Sequence, residues 1–377
     1  MLSLRHLLTV MALVSAGAVV AAQVKPSTPV KKPIHGLTTM GPTAFNAHGG
    51  DSVDNGMAEL TAHPGVYKGA VINAIWKMLE PKDGVYDFSS IDAGLRSIAK
   101  YNAAHPKTPV VGKLRVYAGP NVPDWLMKLT GGPYPISNDT HGNETIAGYW
   151  TPEYKTKWQA LQMTLAAKYD ADPLMGEVAA SSCSSFTDES FIYPKRPSDQ
   201  IAMRAHGFND AAERACLLGA IQDYDVWKVT PVDLTFSPYF KTDTLPPVRD
   251  DTFTLQVMEA WRGHFGNRGV ISNHSVQDPV TDNLKPVFAQ LHQVGPPIEL
   301  QTASQGVISH GKETNGQPGA SRDKSLPPLM DWNKVIQNAL DTGAGEIEIW
   351  TTVEGGGRAQ ITGPMLKAWA DALSKKN

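Results

Sequence analysis

The acidic side chains that could act as a pair are the natural starting point. In Ser181-Ser182-Cys183-Ser184-Ser185-Phe186-Thr187-Asp188-Glu189-Ser190-Phe191, Glu189 follows a small, polar stretch suited to close approach by a ligand, and aromatics flank it. Asp188 beside it would favour a protonated Glu189 by like-charge repulsion if both faced one cleft, which suits a proton donor. In Pro297-Ile298-Glu299-Leu300-Gln301-Thr302, period-two alternation puts Glu299 and Gln301 on one face, with Ile298 and Leu300 on the other. Glu346, Glu348 and Trp350 share a face in the same way, opposite Ile347 and Ile349. A carboxylate turned away from water is costly unless it has partners or work to do. Glu299 and Glu348 therefore compete as second carboxylate, Glu348 having the plainer alternative of an ion pair with Lys113 or Arg115. Two carboxylates flanking a bond, one giving a proton and one attacking or activating water, are what cleavage of a glycosidic bond requires.

Other residues would complete a sugar site. Lys113, Arg115 and Tyr117 alternate along one run, so Arg115 could orient a carboxylate. Asn273 and His274 fall together in another run, and Gln301 shares the face of Glu299. Trp76, with Asn73 nearby, Trp125 and Trp350 are candidate stacking walls; Tyr134, Trp150, Phe186 and Tyr193 also lie in long connections. Each aromatic has the alternative of pinning a loop, and a lone histidine that of a satisfied core residue. Two cysteines cannot build a zinc ribbon and no HExxH pair occurs, so neither a metal nor a cofactor is expected. Cys183 and Cys216 form either one disulfide or two buried thiols.

Elements must bring these residues together. Eight strand-like runs can be placed: His35–Met40, Ala70–Lys77, Val110–Ala118, Gly176–Cys183, Val232–Tyr239, Gly269–Ser275, Ile298–Thr302 and Glu346–Thr351. Helical spacing near 3.6 intervenes, clearest over Ser89–Tyr101, Glu153–Tyr169, Pro286–Val294, Trp332–Leu340 and Met365–Leu373, with Asp87 and Asp331 as candidate caps. The count predicts a single (β/α)8 barrel of the α/β class over residues 34–377, with long loops on the C-terminal face of the strands. An open doubly wound sheet is the alternative, but no GxGxxG follows the first strand and no phosphate loop occurs. Long connections follow the third, fourth and seventh strands, and in a barrel their origin at strand C-terminal ends is the active-site face.

The run Trp76-Lys77-Met78-Leu79-Glu80-Pro81-Lys82-Asp83-Gly84-Val85-Tyr86-Asp87-Phe88, with Ile91-Asp92 after it, resembles the second-strand segment of the large superfamily of retaining (β/α)8 glycoside hydrolases. The likeness is to its β-galactosidase-like, xylanase-like and endoglucanase-like branches. Leu114-Arg115-Val116, Gly119-Pro120 and Pro123-Asp124-Trp125-Leu126 are similar to the third-strand segment. Ala167-Lys168-Tyr169 with Asp172-Pro173-Leu174-Met175-Gly176 resembles the approach to the fourth strand. The resemblance covers residues 68–190. It implies an acid/base at Glu189 after strand four and a nucleophile at Glu299 on strand seven. Asp188 stands where the superfamily has Asn, and Glu80 reads as structural.

Arg5 and His6 precede the apolar run Leu7–Val20, and Val20-Ala21-Ala22 offers a small-residue exit. This reads as a signal peptide over residues 1–22, too short for the roughly 20 apolar residues of a spanning helix. Residues 23–33, rich in Pro, Lys and Thr, read as a linker. The expected product is secreted or periplasmic, with no membrane contact after cleavage. The net charge of -3 is scattered, with no basic block to follow a phosphate backbone, so a carbohydrate rather than nucleic acid is the expected partner. The expected activity is hydrolysis of β-glycosidic bonds in a poly- or oligosaccharide with retention. An inverting enzyme and a carbohydrate-binding barrel without turnover are the alternatives.

Overall fold

The computed structural model describes residues 29–40, 53–138, 142–186, 189–192, 194, 196–244, 247–303, 331–350 and 361–375. The signal peptide, most of the linker, Asp188, Tyr193, the segment 304–330 and the Trp350 side chain lie outside the described residues.

Among the described residues there are ten strands: β1 (Gly36–Met40), β2 (Tyr67–Ile75), β3 (Val111–Tyr117), β4 (Tyr134–Asn138), β5 (Gly142–Ile146), β6 (Met175–Ala180), β7 (Val232–Thr235), β8 (Gly269–Val276), β9 (Ile298–Thr302) and β10 (Glu346–Trp350). Eight of them close into a barrel in the order β1-β10-β9-β8-β7-β6-β3-β2, and every pair in it is parallel. All eight expected runs are strands, with ends shifted by a few residues. The remaining two, β4 and β5, pair antiparallel as a hairpin inside the long third connection, where no strand was placed from the sequence.

Helices wrap the barrel: α1 (Val53–Ala62), α2 (Trp76–Leu79), α3 (Ser89–Ala104), α4 (Asp124–Leu129), α5 (Pro152–Tyr169) and α6 (Pro197–Ala205) in the first half. The second half adds α7 (Asp210–Tyr224), α8 (Asp251–Phe265), α9 (Lys285–Val294), α10 (Trp332–Thr342) and α11 (Gly363–Ser374). Their apolar stripes meet the outward side chains of the strands. Ile91, Leu95 and Ile98 of α3, and Trp158, Leu161 and Leu165 of α5, are buried in one core with Ile72, Leu114 and Val178. The Asp331 carboxylate caps α10 by accepting from Asn333 and Lys334 N–H, while Asp87 accepts from Ser89 N–H in the first turn of α3. Among the described residues no helix is long and apolar enough to cross a membrane.

Candidate active site

Inward positions of this barrel are charged where branched apolar residues are usual. Strand alternation aims Lys113 and Arg115 (β3), Glu177 (β6), Asp233 (β7), Glu299 (β9) and Glu346 and Glu348 (β10) at the axis, and all are buried. Lys113 Nζ is the hub, 2.8 Å from Asp233, 3.0 Å from Glu177 and Glu348, 3.7 Å from Glu346 and 4.0 Å from Glu299. Arg115 Nη2 holds both Glu348 oxygens at 2.9 Å, and Gln301 Nε2 donates to Glu348 at 2.8 Å.

Five carboxylates thus face two permanent cations, and a dry interior cannot keep the surplus ionised. Burial opposes ionisation of Glu348, but the Arg115 guanidinium and the Lys113 ammonium win and hold its carboxyl well below the usual range. Burial pushes Glu299 well up against the pull of Lys113, with the charges of Glu348 and Asp233 adding to the rise. Glu346 and Glu177 are likewise raised, by burial first. Lys113 stays charged because the surrounding acids outweigh its own desolvation.

Toward the C-terminal ends of the strands lies Glu189, its side chain 16% exposed. The loop carrying it is closed by serine hydroxyls. Ser181 donates to Val116 O, Ser184 to Ser181 O, Ser185 to Ile192 O and Ser190 to Ala180 O. The small, polar stretch expected to receive a ligand is therefore spent on folding the loop. A disulfide between Cys183 and Cys216 fastens it to α7, with the two Cα atoms 6.0 Å apart. From the other side Gly119 presses against it at φ +55°, and a Cβ there would lie 2.7 Å from Ser185 O.

His274, on β8, reaches both candidate carboxylates. Its Nδ1 is 3.9 Å from Glu189 Oε1 and its Nε2 is 3.6 Å from Glu299 Oε2. Thr235 Oγ1 lies 3.1 Å from the same Nε2, and Ser237 Oγ is 3.5 Å from Glu189 Oε2. Glu299, by contrast with Glu189, is fully enclosed, and among the described residues no hydrogen bond reaches either of its oxygens.

Several expected site residues are elsewhere. Trp76 is a correction: it is fully buried on the outward side of the barrel, edge-on to Tyr154 at 5.3 Å and Trp158 at 4.9 Å. Its indole N–H donates to Glu80 Oε2 while Gly84 N–H donates to Glu80 Oε1, so the Trp-Glu-Gly motif is a structural turn. Trp125 is tied into the same turn, donating to Glu80 O with Lys157 5.9 Å above its ring. Asn273 is a second correction. It is buried, donates to Phe236 O and accepts from Ser275 N–H, and so stitches β8 to the end of β7. Arg115 and Gln301 do face inward, but both are engaged with Glu348 beneath the mouth. Ser237, Thr235 and Asp233 were not singled out from sequence. For Asp233 and Thr235 the signal was present, since they alternate with Val232 and Leu234 along β7.

Asp233, His274 and Glu299 also bring one ligand atom each within 4.8 Å of one another, the nearest approach to a cation-holding trio among the described residues. Lys113 already supplies positive charge there, at 2.8 Å from Asp233 Oδ2.

No family model matches the sequence, and no curated protein matches it. Solved structures do share its fold. The cold-adapted β-galactosidase from Rahnella sp. R3 superposes with a TM-score of 0.53 at 13% identity, over 92% of this chain and 57% of that one. This chain thus spans little more than half the length of that enzyme. The catalytic domain of β-amylase from Paenibacillus polymyxa gives 0.54 at 9% identity, over 92% of this chain and all of the other. Endo-glycoceramidase II from Rhodococcus sp. gives 0.52 at 13%, over 91% and 81%. At these identities the similarity is one of architecture, a closed parallel (β/α)8 barrel.

Proposed function

We propose that the chain is an exported glycoside hydrolase that cleaves β-glycosidic bonds of a poly- or oligosaccharide with retention. The observation that carries this reading is that Glu189, after the fourth barrel strand, and Glu299, on the seventh, approach one imidazole from two sides. Glu189 protonates the leaving oxygen as the Glu299 carboxylate attacks the anomeric carbon, giving a glycosyl-enzyme. Glu189 then takes a proton from water as water displaces Glu299. Fold neighbours named β-galactosidase and endo-glycoceramidase support the substrate class. The Cys183–Cys216 disulfide supports an oxidising destination.

The test is turnover of a panel of aryl β-glycosides and β-linked oligosaccharides, with the first-formed anomer read by NMR. Glu189→Gln and Glu299→Gln should each reduce kcat by roughly 10²–10⁴-fold or more. A first-formed α-anomer would mean inversion, and a fully active Glu299→Gln would return Glu299 to a purely structural role. The complete enclosure of Glu299 favours one other reading, a barrel that binds carbohydrate without cleaving it. Saturable sugar binding with no product from any substrate of the panel would establish that reading.

A further inference from the structure

We infer that His274 is a proton conduit between Glu299 and Glu189, through which the pair can reach the state the reaction needs. The inference rests on the glycosidase reading above. A retaining pair must begin with its acid protonated and its nucleophile ionised. Here the interior favours an uncharged Glu299 instead. Glu299 is sealed in the interior, where burial disfavours its charged form, while Glu189 is partly open to solvent.

The imidazole is placed to let the two carboxyls exchange that proton. One ring nitrogen faces each carboxylate, at 3.6 Å from Glu299 Oε2 and 3.9 Å from Glu189 Oε1. Both gaps close to hydrogen-bond length with a shift of about 0.5–1 Å, and catalytic contacts commonly tighten only when substrate is bound. Ser272 Oγ donates to Thr235 Oγ1 at 3.0 Å, which leaves the Thr235 hydroxyl hydrogen free to meet His274 Nε2 at 3.1 Å. That arrangement suits the tautomer in which Nε2 accepts and the ring proton sits on Nδ1, on the Glu189 side.

The transfer balances. The Thr235 hydroxyl turns its hydrogen away, and Nε2 takes the proton from Glu299 Oε2 as Nδ1 gives its proton to Glu189 Oε1. The ring exchanges one tautomer for the other and remains neutral, Glu299 becomes a carboxylate, and Glu189 becomes the acid. The new Glu299 charge faces Lys113 at 4.0 Å. The other charged groups around it are Asp233 from β7, Glu346 and Glu348 from β10 and Arg115 from β3, with Glu177 from β6 on the same Lys113. At the Glu189 end the ring leads to the mouth, where Ser237 Oγ stands 3.5 Å from Oε2.

The first measurement does not need turnover. With ¹⁵N-labelled histidine, the His274 signals, assigned by their loss in His274→Gln, report the tautomer. Glu189→Gln and Glu299→Gln should each shift the tautomer balance and its pH dependence. A balance unchanged in either variant overturns the conduit. The second measurement uses whichever aryl glycoside the wild type hydrolyses. His274→Gln, which cannot exchange tautomers, should lower kcat by roughly 10–100-fold with KM little changed and move a limb of the kcat pH profile, while His274→Ala, which leaves a cavity, should regain rate with added imidazole. A slower enzyme with the wild-type profile and no rescue would show a merely structural histidine and overturn the inference. A wild type without turnover but with coupled NMR titrations would sink the glycosidase reading and leave the proton coupling standing. Turnover with uncoupled titrations would do the opposite.

Discussion

At the scale of single residues, Trp76 shows how much one strand position decides. Asn73 and Ile75 pair with Arg115 and Tyr117, so the inward parity of β2 runs through them and Trp76 must turn outward. The information was in the sequence, but it needed the register of the strand rather than the type of the side chain. Trp76→Ala should cost about 3–5 kcal/mol in urea denaturation, the cost of emptying a large buried site, with KM for any hydrolysed substrate unchanged. Weakened substrate binding at unchanged stability would return Trp76 to the mouth. Glu299 carries the complementary lesson. Parity read its inward direction correctly, yet its depth was not legible, because depth depends on how far each neighbouring strand is offset. The register puts Gln301 one inward position nearer the mouth, level with Glu348.

At the scale of elements, the barrel strands were readable because each presents apolar side chains to a helix on one face. The β4–β5 hairpin was not. Tyr134–Asn138 contains Pro135, and Gly142–Ile146 is mostly polar, so neither run alternates in a way that marks a strand. Helix α7 holds a cost of its own. Glu213 is fully buried on it, and burial first, then the charge of Asp210, pushes its carboxyl up to about 8 despite the nearby Tyr149 hydroxyl. The folded value lies above the unfolded one of about 4.3, so the native state binds more protons between the two. Stability from this group is complete below about pH 4 and is lost as pH climbs toward 8, at about 1.4 kcal/mol per pH unit. Glu213→Gln should remove that slope and raise Tm at pH 8 relative to wild type. Parallel Tm-against-pH curves for the two proteins would contradict this account.

At the scale of the whole molecule, the charged barrel interior dominates. Each inward acid could be read from alternation, but their convergence on one lysine could not, since it exists only once eight strands from distant parts of the chain have closed. Removing Lys113 leaves several acids facing one another, so Lys113→Met should lose about 3–5 kcal/mol or fail to fold, as is usual when one partner of a buried ionic cluster is deleted. Wild-type-like stability would mean that protons, not the ammonium, neutralise the cluster. The raised carboxyls of Glu177, Glu299 and Glu346 act in the same sense as Glu213. Their folded values exceed their unfolded ones, so the native barrel sheds protons on unfolding and becomes less stable as pH rises above about 4. Glu348 acts in the opposite sense. Its stabilisation is present above about pH 4 and is lost only as the solution becomes more acidic than that. The urea midpoint should therefore fall steadily from pH 5 to pH 9. A midpoint that rose over that interval would mean these acids are ionised in the folded protein.

The bond between Cys183 and Cys216 has a topological meaning as well. The stretch between them is a covalent ring, and Glu189 lies on it. A protease that cuts anywhere within the ring opens the backbone but frees no fragment, because each new end stays joined through sulfur to the rest of the fold. The segment bearing the proposed acid can thus be nicked and still be held at the mouth of the barrel, migrating as one chain until a reductant separates it into two.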